Sequence, residues 1–231
     1  MMKAKAFLLD LDGVLTDTAQ YHYLAWKQLS NGLGLKFDKT DNHRLLGVSR
    51  LRSLEIILEL NGCTSQYDEK NRAALAEEKN IYYLDLIKNI SPRDLLPGIE
   101  EFISESKDEG IKLAVASASK NADFVLERLG IANLFDYVAD ASKILNPKPH
   151  PEIFLDCSNA LGTHPRYCIG VEDAQSGIEA IHAAGMFSVG IGVVVTSLSP
   201  DLALNRTDEL SFKKLSDTYS IWLQQKAANT I

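Results

Sequence analysis

The apolar and polar positions of the chain change their period twice. Residues 6–9 form a continuous apolar run, which predicts a short strand buried on both faces, as strands of parallel sheets are. Residues 18–90 then place apolar side chains at helical spacing, without a strand pattern among them. Beyond residue 97, short apolar runs alternate with amphipathic segments. The pattern therefore predicts an α/β core of residues 1–17 and 91–231 and a helical domain of residues 18–90.

The predicted helical domain contains three clear segments of helical period, at residues 21–29, 51–60 and 69–87. Thr18 is a candidate N-cap for the first segment, and the stretch at residues 32–34, with two glycines, would end it. Consecutive helices without an intervening strand are typical of a bundle inserted into another domain.

The alternating part of the chain predicts an open parallel sheet with helices on both faces. Crossovers between parallel strands have one hand, so this order of elements indicates a doubly wound α/β fold. The predicted strands lie at residues 111–116, 137–139, 167–171 and 187–191, and the predicted helices at residues 99–107, 121–129, 151–161, 174–184 and 215–225.

Composition narrows the class of protein. The chain has 231 residues, of which 45% are hydrophobic and 24% charged, as in ordinary globular proteins. Its formal net charge of −7 and its lack of a Lys/Arg run argue against nucleic acid as a partner. No apolar run approaches membrane-spanning length and the start does not resemble a signal peptide, so we expect no membrane partner and a cytoplasmic location. The three scattered cysteines fit reduced thiols.

Two aspartates directly follow the first predicted strand. Asp10 and Asp12 are two residues apart, so they leave the strand end on the same side, and Gly13 lets the backbone turn sharply after them. Two carboxylates this close repel each other, and burial adds a cost that a hard cation such as Mg²⁺ would offset. A polar turn is the alternative, since Asp and Gly are common turn residues.

Polar residues also follow later predicted strands. Ser117 precedes a helix, where its hydroxyl and successive backbone N–H groups would bind phosphate, or where it would cap the helix. Lys148 lies between two prolines that stiffen its backbone, although a solvated loop lysine is the alternative. Glu172 and Asp173 would complete an oxygen cage for Mg²⁺, or stabilise the dipole of the next helix. Ligands of open parallel sheets bind at the carboxyl ends of the strands, so this convergence favours a functional site.

These motifs resemble those of the haloacid-dehalogenase (HAD) superfamily of phosphoryl-transfer enzymes. The stretch Asp-Leu-Asp-Gly-Val-Leu-Thr-Asp-Thr at residues 10–18 is similar to the first motif of that superfamily, and the later motifs follow in order and at similar spacing. The resemblance covers essentially the whole chain. It implies a HAD-like doubly wound parallel sheet core with an inserted helical-bundle cap domain. It also implies a single Mg²⁺ ion per monomer, with the ligands Asp10, Asp12, Glu172 and Asp173.

The resemblance implies a mechanism as well. Asp10 would attack phosphorus and carry an aspartyl-phosphate. Asp12 would protonate the leaving oxygen and later deprotonate the incoming one. Lys148 and Ser117, together with Mg²⁺, would neutralise the oxygens of the transferring phosphoryl group.

Longer patterns resemble one family within that superfamily, the β-phosphoglucomutases. They are Thr16-Asp17-Thr18-Ala19-x-Tyr21-His22 with Trp26, Gly47-Val48-Ser49-Arg50 with Ser53, Glu78-Lys79-Asn80, Ser117-Ala118-Ser119-Lys120-Asn121, and the stretch at residues 170–177. That family interconverts β-D-glucose 1-phosphate and β-D-glucose 6-phosphate through a β-glucose 1,6-bisphosphate intermediate. The resemblance therefore implies sugar phosphates as partners and β-glucose 1,6-bisphosphate as the primer.

The same resemblance implies roles in substrate binding. Arg50 would bind the phosphate that is not transferred, because its planar fork suits phosphate oxygens, although a solvated arginine at a helix end is the alternative. Thr18, His22 and Lys79 would belong to the hinge and cap network that positions Asp12, with a partly buried structural histidine as the alternative for His22. The predicted substrate-binding residues are Asp12, Thr18, His22, Gly47, Val48, Ser49, Arg50, Ser53, Lys79, Ser117, Ala118, Ser119, Asn121 and Lys148.

The chain departs from the family pattern at one position of the cap. The family usually has Leu-Lys-Gly before Val-Ser-Arg, whereas this chain has Leu45-Leu46-Gly47. A cap lysine that faces the sugar is thus absent from the sequence. The change bears on sugar specificity and rate more than on the chemistry.

Two other functions remain open from the sequence. A sugar-phosphate phosphatase of the same fold would use water as the acceptor, and a non-catalytic sensor would keep the pocket without turnover. The presence of both Asp10 and Asp12 argues against the sensor. We expect a monomeric mutase that acts on small sugar phosphates.

Overall fold

The computed structural model describes residues 3–45, 48–192 and 199–228. Contacts between residues divide the chain into two compact units, which are Met1–Asp17 with Ser91–Ile231, and Thr18–Ile90. The first unit contains the sheet and is called the core, and the second is called the helical insert. In the described part of the chain, no helix is long and apolar enough to cross a membrane.

The helical insert is built from α1 (Ala19–Gly32), α2 (Lys39–Asn42), α3 (Arg50–Leu60) and α4 (Glu69–Ile87). Helices α1, α3 and α4 lie where the helical period predicts them. The single turn of α2 is too short for its period to show, and it is fixed by a capping box on Asp38. Helices α1 and α3 both pack against α4. The buried apolar side chains of this unit include Trp26, Leu29, Phe37, Leu54 and Ile57.

The core contains a parallel sheet, which has six strands in the described part of the chain. They are β1 (Ala6–Leu9), β2 (Lys112–Val115), β3 (Tyr137–Val138), β4 (Cys168–Glu172), β5 (Phe187–Ile191) and β6 (Leu202–Leu204). Their order is β3-β2-β1-β4-β5-β6, and each adjacent pair is parallel. This topology confirms the doubly wound parallel sheet. The sequence pattern does not predict β6, because the alternation of apolar runs and amphipathic segments weakens beyond residue 192.

Helices cover both faces of the sheet. They are α5 (Ile99–Asp108), α6 (Ala122–Leu129), α7 (Glu152–Ala160), α8 (Gln175–Ala183) and α9 (Phe212–Ala228). Successive residues of β1 point to opposite faces, as the period of a strand requires. Leu8 joins the apolar cluster that contains residues of α7 and α8, whereas Phe7 stacks on Phe102 of α5 with ring centroids 5.4 Å apart.

The central strand β1 places the site. Leu9 is in register with Val115 of β2 on one side and with Val171 of β4 on the other. The chain leaves β1 toward β2 and β3 in one direction and reaches β4, β5 and β6 in the other, so the strand order reverses at β1. Ligands of open α/β sheets bind beyond the carboxyl ends of the strands at such a switch point.

Candidate active site

The loop after β1 holds Asp10 in a fixed position. The backbone N–H of Asp10 donates to the carbonyl of Val171 in β4 at 3.0 Å, so Asp10 still belongs to the sheet. Gly13 has a φ of 75°, a left-handed conformation that favours glycine, and its N–H donates to the carbonyl of Thr16 at 2.8 Å. The hydroxyl of Thr16 donates to the carbonyl of Asp94 at 2.7 Å. The predicted sharp turn is therefore present and anchored at both ends.

Two glycines make room for the acids of the β4 end. A Cβ atom on Gly13 would lie 2.0 Å from Oδ2 of Asp173, so a side chain here would displace that carboxylate. A Cβ atom on Gly177 would lie 2.0 Å from Oε1 of Glu172. The motifs contain both glycines, but the spacing of residues in the sequence does not reveal these close approaches.

Lys148 is a buried ammonium between two carboxylates. Its Nζ lies 2.8 Å from Oδ1 of Asp10 and donates a second, short hydrogen bond to Oε1 of Glu172. Its side chain is 1% exposed, which excludes a solvated loop lysine. Burial lowers the pKa of Lys148, but Asp10 and Glu172 together raise it above its usual range. Lys148 is therefore a fixed cation at the carboxyl end of β1.

Three acids form a group here, and two of them contact this cation. Asp10, Glu172 and Asp173 each offer a carboxylate oxygen, and these oxygens lie within 4.8 Å of one another. Oε2 of Glu172 accepts the backbone N–H groups of Asp173 at 3.0 Å and Ala174 at 3.1 Å, so the loop itself orients that carboxylate.

Burial and mutual repulsion make the ionised forms of Glu172 and Asp173 unfavourable. Burial raises the pKa of Glu172 against the opposing effect of Lys148, and Asp10 raises it further. Burial also raises the pKa of Asp173, with added repulsion from Glu172, Asp10 and Asp12. A hard cation with oxygen ligands would relieve both costs, so this donor set fits Mg²⁺.

The side chain of Asp12 takes a different place from the other predicted metal ligands. It is partly buried and close enough to raise the pKa of Asp173, but it is not part of the group of three carboxylates defined over the described residues. Its metal-binding role stays a prediction.

The loop after β2 presents hydroxyls and backbone N–H groups. Ser117 is buried, and its Oγ accepts the N–H of Ser119 at 3.1 Å. Oγ of Ser119 in turn accepts the N–H of Asn121 at 3.2 Å, one residue before α6 begins. Ala118, the remaining predicted residue of this loop, is partly buried. Ser117 thus orders the loop ahead of the helix, at the carboxyl end of a strand beside β1.

The helical insert contains a second buried cation. Lys79 is 2% exposed and its Nζ lies 2.7 Å from Nδ1 of His22. The same Nζ lies over the rings of Trp26, at 4.9 Å, and Tyr83, at 4.7 Å. Burial, and then the charges of Lys79 and Arg50, hold the pKa of His22 well below its usual value. His22 is therefore neutral near pH 7 and accepts a hydrogen bond from the lysine.

Other predicted binding residues of the insert cluster at the start of α3. Ser49 is the N-cap and accepts the N–H of Arg52 at 3.4 Å, and the hydroxyl of the buried Ser53 donates to the carbonyl of Ser49 at 3.1 Å. Arg50 is the first residue of the helix, and Val48 is partly buried. Gly47 and the substituted position Leu46 lie outside the described residues.

Thr18 lies immediately before α1, where the sequence predicts an N-cap. Its side chain is buried and makes no cap hydrogen bond, and its Oγ1 has no hydrogen-bond partner among the residues described. The predicted N-cap position is therefore right, but Thr18 makes no capping hydrogen bond, because its backbone is helical rather than extended.

The structure also gives Arg50 a partner that the sequence does not predict. Its Nη1 lies 3.1 Å from Oε2 of Glu77 in α4. The two residues belong to different helices, so no period in the sequence relates them.

Comparisons with known proteins define the class. A protein-family model for haloacid dehalogenase-like hydrolases matches residues 4–185. The chain therefore belongs to the haloacid dehalogenase-like hydrolase family and is an enzyme of that class. Among its relatives is a fructose-1-phosphate phosphatase of Escherichia coli K12, 31% identical over 80% of this chain and 94% of that protein.

Within that family the chain is related to the β-phosphoglucomutases. It is 40% identical to β-phosphoglucomutase of Bacillus subtilis strain 168, over 98% of this chain and 99% of that protein. It is 45% identical to the crystal structure of β-phosphoglucomutase from Clostridium difficile, with a TM-score of 0.93 over 95% of this chain and 99% of that chain. These similarities confirm the resemblance that the sequence motifs indicate.

Proposed function

We propose that the protein is a Mg²⁺-dependent phosphomutase that interconverts β-D-glucose 1-phosphate and β-D-glucose 6-phosphate. The buried group of Asp10, Lys148, Glu172 and Asp173 supports phosphoryl transfer, since it joins a candidate nucleophile to a fixed cation and a cation-binding set. Similarity to β-phosphoglucomutases over nearly the whole chain supports the mutase reaction in particular. β-Glucose 1,6-bisphosphate is the intermediate and primer of the proposed reaction.

Asp10 is the proposed nucleophile and Asp12 the general acid and base. A carboxylate oxygen of Asp10 forms a bond to phosphorus while the bond from phosphorus to the sugar oxygen breaks, and Asp12 gives its proton to that oxygen. In the second transfer, Asp12 removes the proton from the accepting hydroxyl as its oxygen attacks the aspartyl-phosphate. The acid must therefore gain and lose a proton in each cycle.

Lys148 and Ser117 neutralise the negative charge of the transferring phosphoryl group. Lys148 offers a permanent positive charge beside Asp10, and Ser117 offers a hydroxyl and an ordered loop of N–H groups. Mg²⁺, when bound, adds a further positive charge against the phosphoryl oxygens. Asp10, Glu172 and Asp173 would hold it, with Asp12 as the remaining proposed ligand.

The helical insert supplies the proposed binding residues for the rest of the substrate. Arg50 binds the phosphate that is not transferred, because a guanidinium pairs with two phosphate oxygens at once. Lys79 and His22 are in contact, and we propose that they act with Thr18 to position Asp12. We further propose that the enzyme acts as a monomer in the cytoplasm.

A phosphatase is the second candidate function. The fructose-1-phosphate phosphatase relative, at 31% identity, supports it less than the mutase relatives support the mutase. In this reaction water would replace the sugar hydroxyl as acceptor from the aspartyl-phosphate, with the same use of Asp10 and Asp12.

Phosphorus NMR on the purified protein separates the two functions. The sample contains Mg²⁺, β-glucose 1-phosphate and a trace of β-glucose 1,6-bisphosphate. Conversion to glucose 6-phosphate with little inorganic phosphate supports the mutase, and release of inorganic phosphate instead identifies a phosphatase. Asp10→Asn should lower either rate by about 10⁴-fold or more, as the loss of a nucleophile does. Asp217→Asn, an exposed aspartate of α9, is the control and should leave the rate unchanged.

A further inference from the structure

The helical insert contains an acidic side chain beside its proposed phosphate-binding arginine. Nη1 of Arg50 lies 3.1 Å from Oε2 of Glu77. The other carboxylate oxygen of Glu77 accepts a hydrogen bond from Nδ2 of Asn80 at 3.1 Å, one turn further along α4. Both oxygens of Glu77 are thus engaged, and the buried Asn80 holds the carboxylate toward the arginine.

The exposure of the two partners is unequal. The side chain of Arg50 is 18% exposed, whereas that of Glu77 is 64% exposed. Because Glu77 is already largely solvated, its separation from Arg50 costs little free energy. Arg50 stays in its partly buried position. An ion pair with one partner so exposed contributes little free energy, so a competing anion with more charge can replace it.

A phosphate group is such a competitor. The guanidinium of Arg50 can pair with a carboxylate or with a phosphate, and both anions use the same N–H donors. A phosphate close to Arg50 would also be repelled by the charge of Glu77. The two anions therefore exclude each other at this arginine.

We propose that Glu77 competes with the second phosphate of the substrate for Arg50 and so sets how tightly that phosphate is bound. This inference rests on the proposed function, in which Arg50 binds that phosphate. Each turnover of a mutase with a bisphosphate intermediate must release the second phosphate and bind it again after reorientation. A resident carboxylate weakens the hold of Arg50 on the phosphate and so favours that release.

Steady-state kinetics test this competition. The full chain is assayed with Mg²⁺ and with β-glucose 1,6-bisphosphate as the varied primer. Glu77→Gln removes the charge, yet its amide oxygen can still accept from Asn80. We expect the KM for the bisphosphate to fall about two- to fivefold, the factor that an exposed ion pair supplies, without a rise in kcat. Glu59→Gln is the matched control, because Glu59 also pairs with an arginine of α3, at 2.7 Å from Nη1 of Arg52. It should leave the KM unchanged.

The double variant Arg50→Ala with Glu77→Gln tests whether Glu77 acts through the arginine. Its KM should equal that of Arg50→Ala alone. A KM that is unchanged or higher in Glu77→Gln, while Arg50→Ala raises it, overturns the inference and leaves the proposed function intact. A fall in KM that persists without Arg50 also overturns it. Failure of the wild-type protein to isomerise the sugar phosphate would refute the proposed function itself, whatever the variants do.

Discussion

Nζ of Lys148 lies 2.8 Å from Oδ1 of Asp10, with both side chains almost completely buried. The same ammonium donates to Glu172, and Asp173 is the third acid of the group. Two buried carboxylates therefore contact one permanent cation, and the partly buried Asp173 lies beside them. Such a group folds only if its charges are offset, by the lysine, by protonation or by a metal ion.

Removal of the lysine should therefore cost stability. Lys148→Ala leaves Asp10 and Glu172 buried without their cation, and breaking a buried ion pair from one side typically costs about 3–5 kcal/mol. We expect a loss of that size in the free energy of unfolding, measured by urea denaturation in the presence of EDTA.

Lys143→Ala is the control for the loss of a lysine. Lys143 is 81% exposed and pairs with Asp140 at 3.1 Å, so its removal should change the free energy of unfolding by less than about 1 kcal/mol. Equal effects of the two substitutions would show that the buried group does not depend on its cation.

Gly177 should tolerate no side chain. In Gly177→Ala the new Cβ would overlap the carboxylate of Glu172, with Cδ only 1.9 Å away, so Glu172 must move away from Lys148. We expect weaker Mg²⁺ binding and a fall in phosphoryl transfer of at least about tenfold, as for other losses of a residue that supports a metal site. Mg²⁺ titration by calorimetry and the phosphorus NMR assay measure the two effects.

Gly32→Ala is the matched control for Gly177→Ala. Nothing lies within 4 Å of a Cβ placed at the end of α1, and the backbone there is helical. Alanine in a helix is favoured over glycine, so this variant should keep its activity and gain about 0.5–1 kcal/mol of stability. Unchanged Mg²⁺ affinity in Gly177→Ala would contradict the steric argument.

The placement of Asp10 and Glu172 could be predicted from the sequence, because each stands at the end of a short apolar run, and Lys148 lies in a loop that follows a later predicted strand. In a parallel sheet the ends of such runs meet at one edge, so the order of strands and polar residues is enough to bring the group together. Their individual contacts could not be predicted from that order. That Lys148 bridges Asp10 and Glu172 depends on side-chain packing between segments 138 and 24 residues apart.

The pairs inside the helical insert could not be predicted for the same reason. The helical period locates α3 and α4 but not their relative rotation, so the contact of Arg50 with Glu77 has no signature in either helix. The close approach of Gly177 to Glu172 is similar, since the sequence shows a glycine in the first turn of a helix but not which side chain lies against it. β6 could not be predicted because the strand and helix pattern weakens beyond residue 192, and α2 could not because it is a single turn.

The neutral state of His22 should make stability depend on pH. Burial and the charges of Lys79 and Arg50 hold the pKa of His22 well below its usual 6.5. The unfolded chain therefore binds a proton at this residue as the pH falls below that value, while the folded chain does not. The stability contributed by the neutral imidazole is thus full above that pH and is lost below it, by at most about 1.4 kcal/mol between pH 7.5 and pH 5.5.

Urea denaturation of the wild type and of His22→Gln at the two pH values measures this contribution. Gln has no titrating group, so the variant should lose less stability than the wild type on acidification, by the amount that His22 contributes. His43→Gln, at an exposed position, should keep the pH dependence of the wild type. An identical pH dependence in His22→Gln and the wild type would show that His22 is protonated in the folded state as readily as in the unfolded one.

Mg²⁺ should stabilise the folded protein through Asp173. A ligand that binds only the folded state adds about 2.7 kcal/mol to the free energy of unfolding when its free concentration is one hundred times its dissociation constant. Asp173→Asn removes one of the three carboxylates and part of the repulsion that burial imposes on the group. We therefore expect this variant to be at least as stable as the wild type in EDTA but to gain much less from added Mg²⁺, in thermal unfolding followed by circular dichroism.

Glu179→Gln, on α8 and outside the group of three carboxylates, should respond to Mg²⁺ like the wild type. Equal gains in Asp173→Asn and the wild type would place the stabilising ion elsewhere.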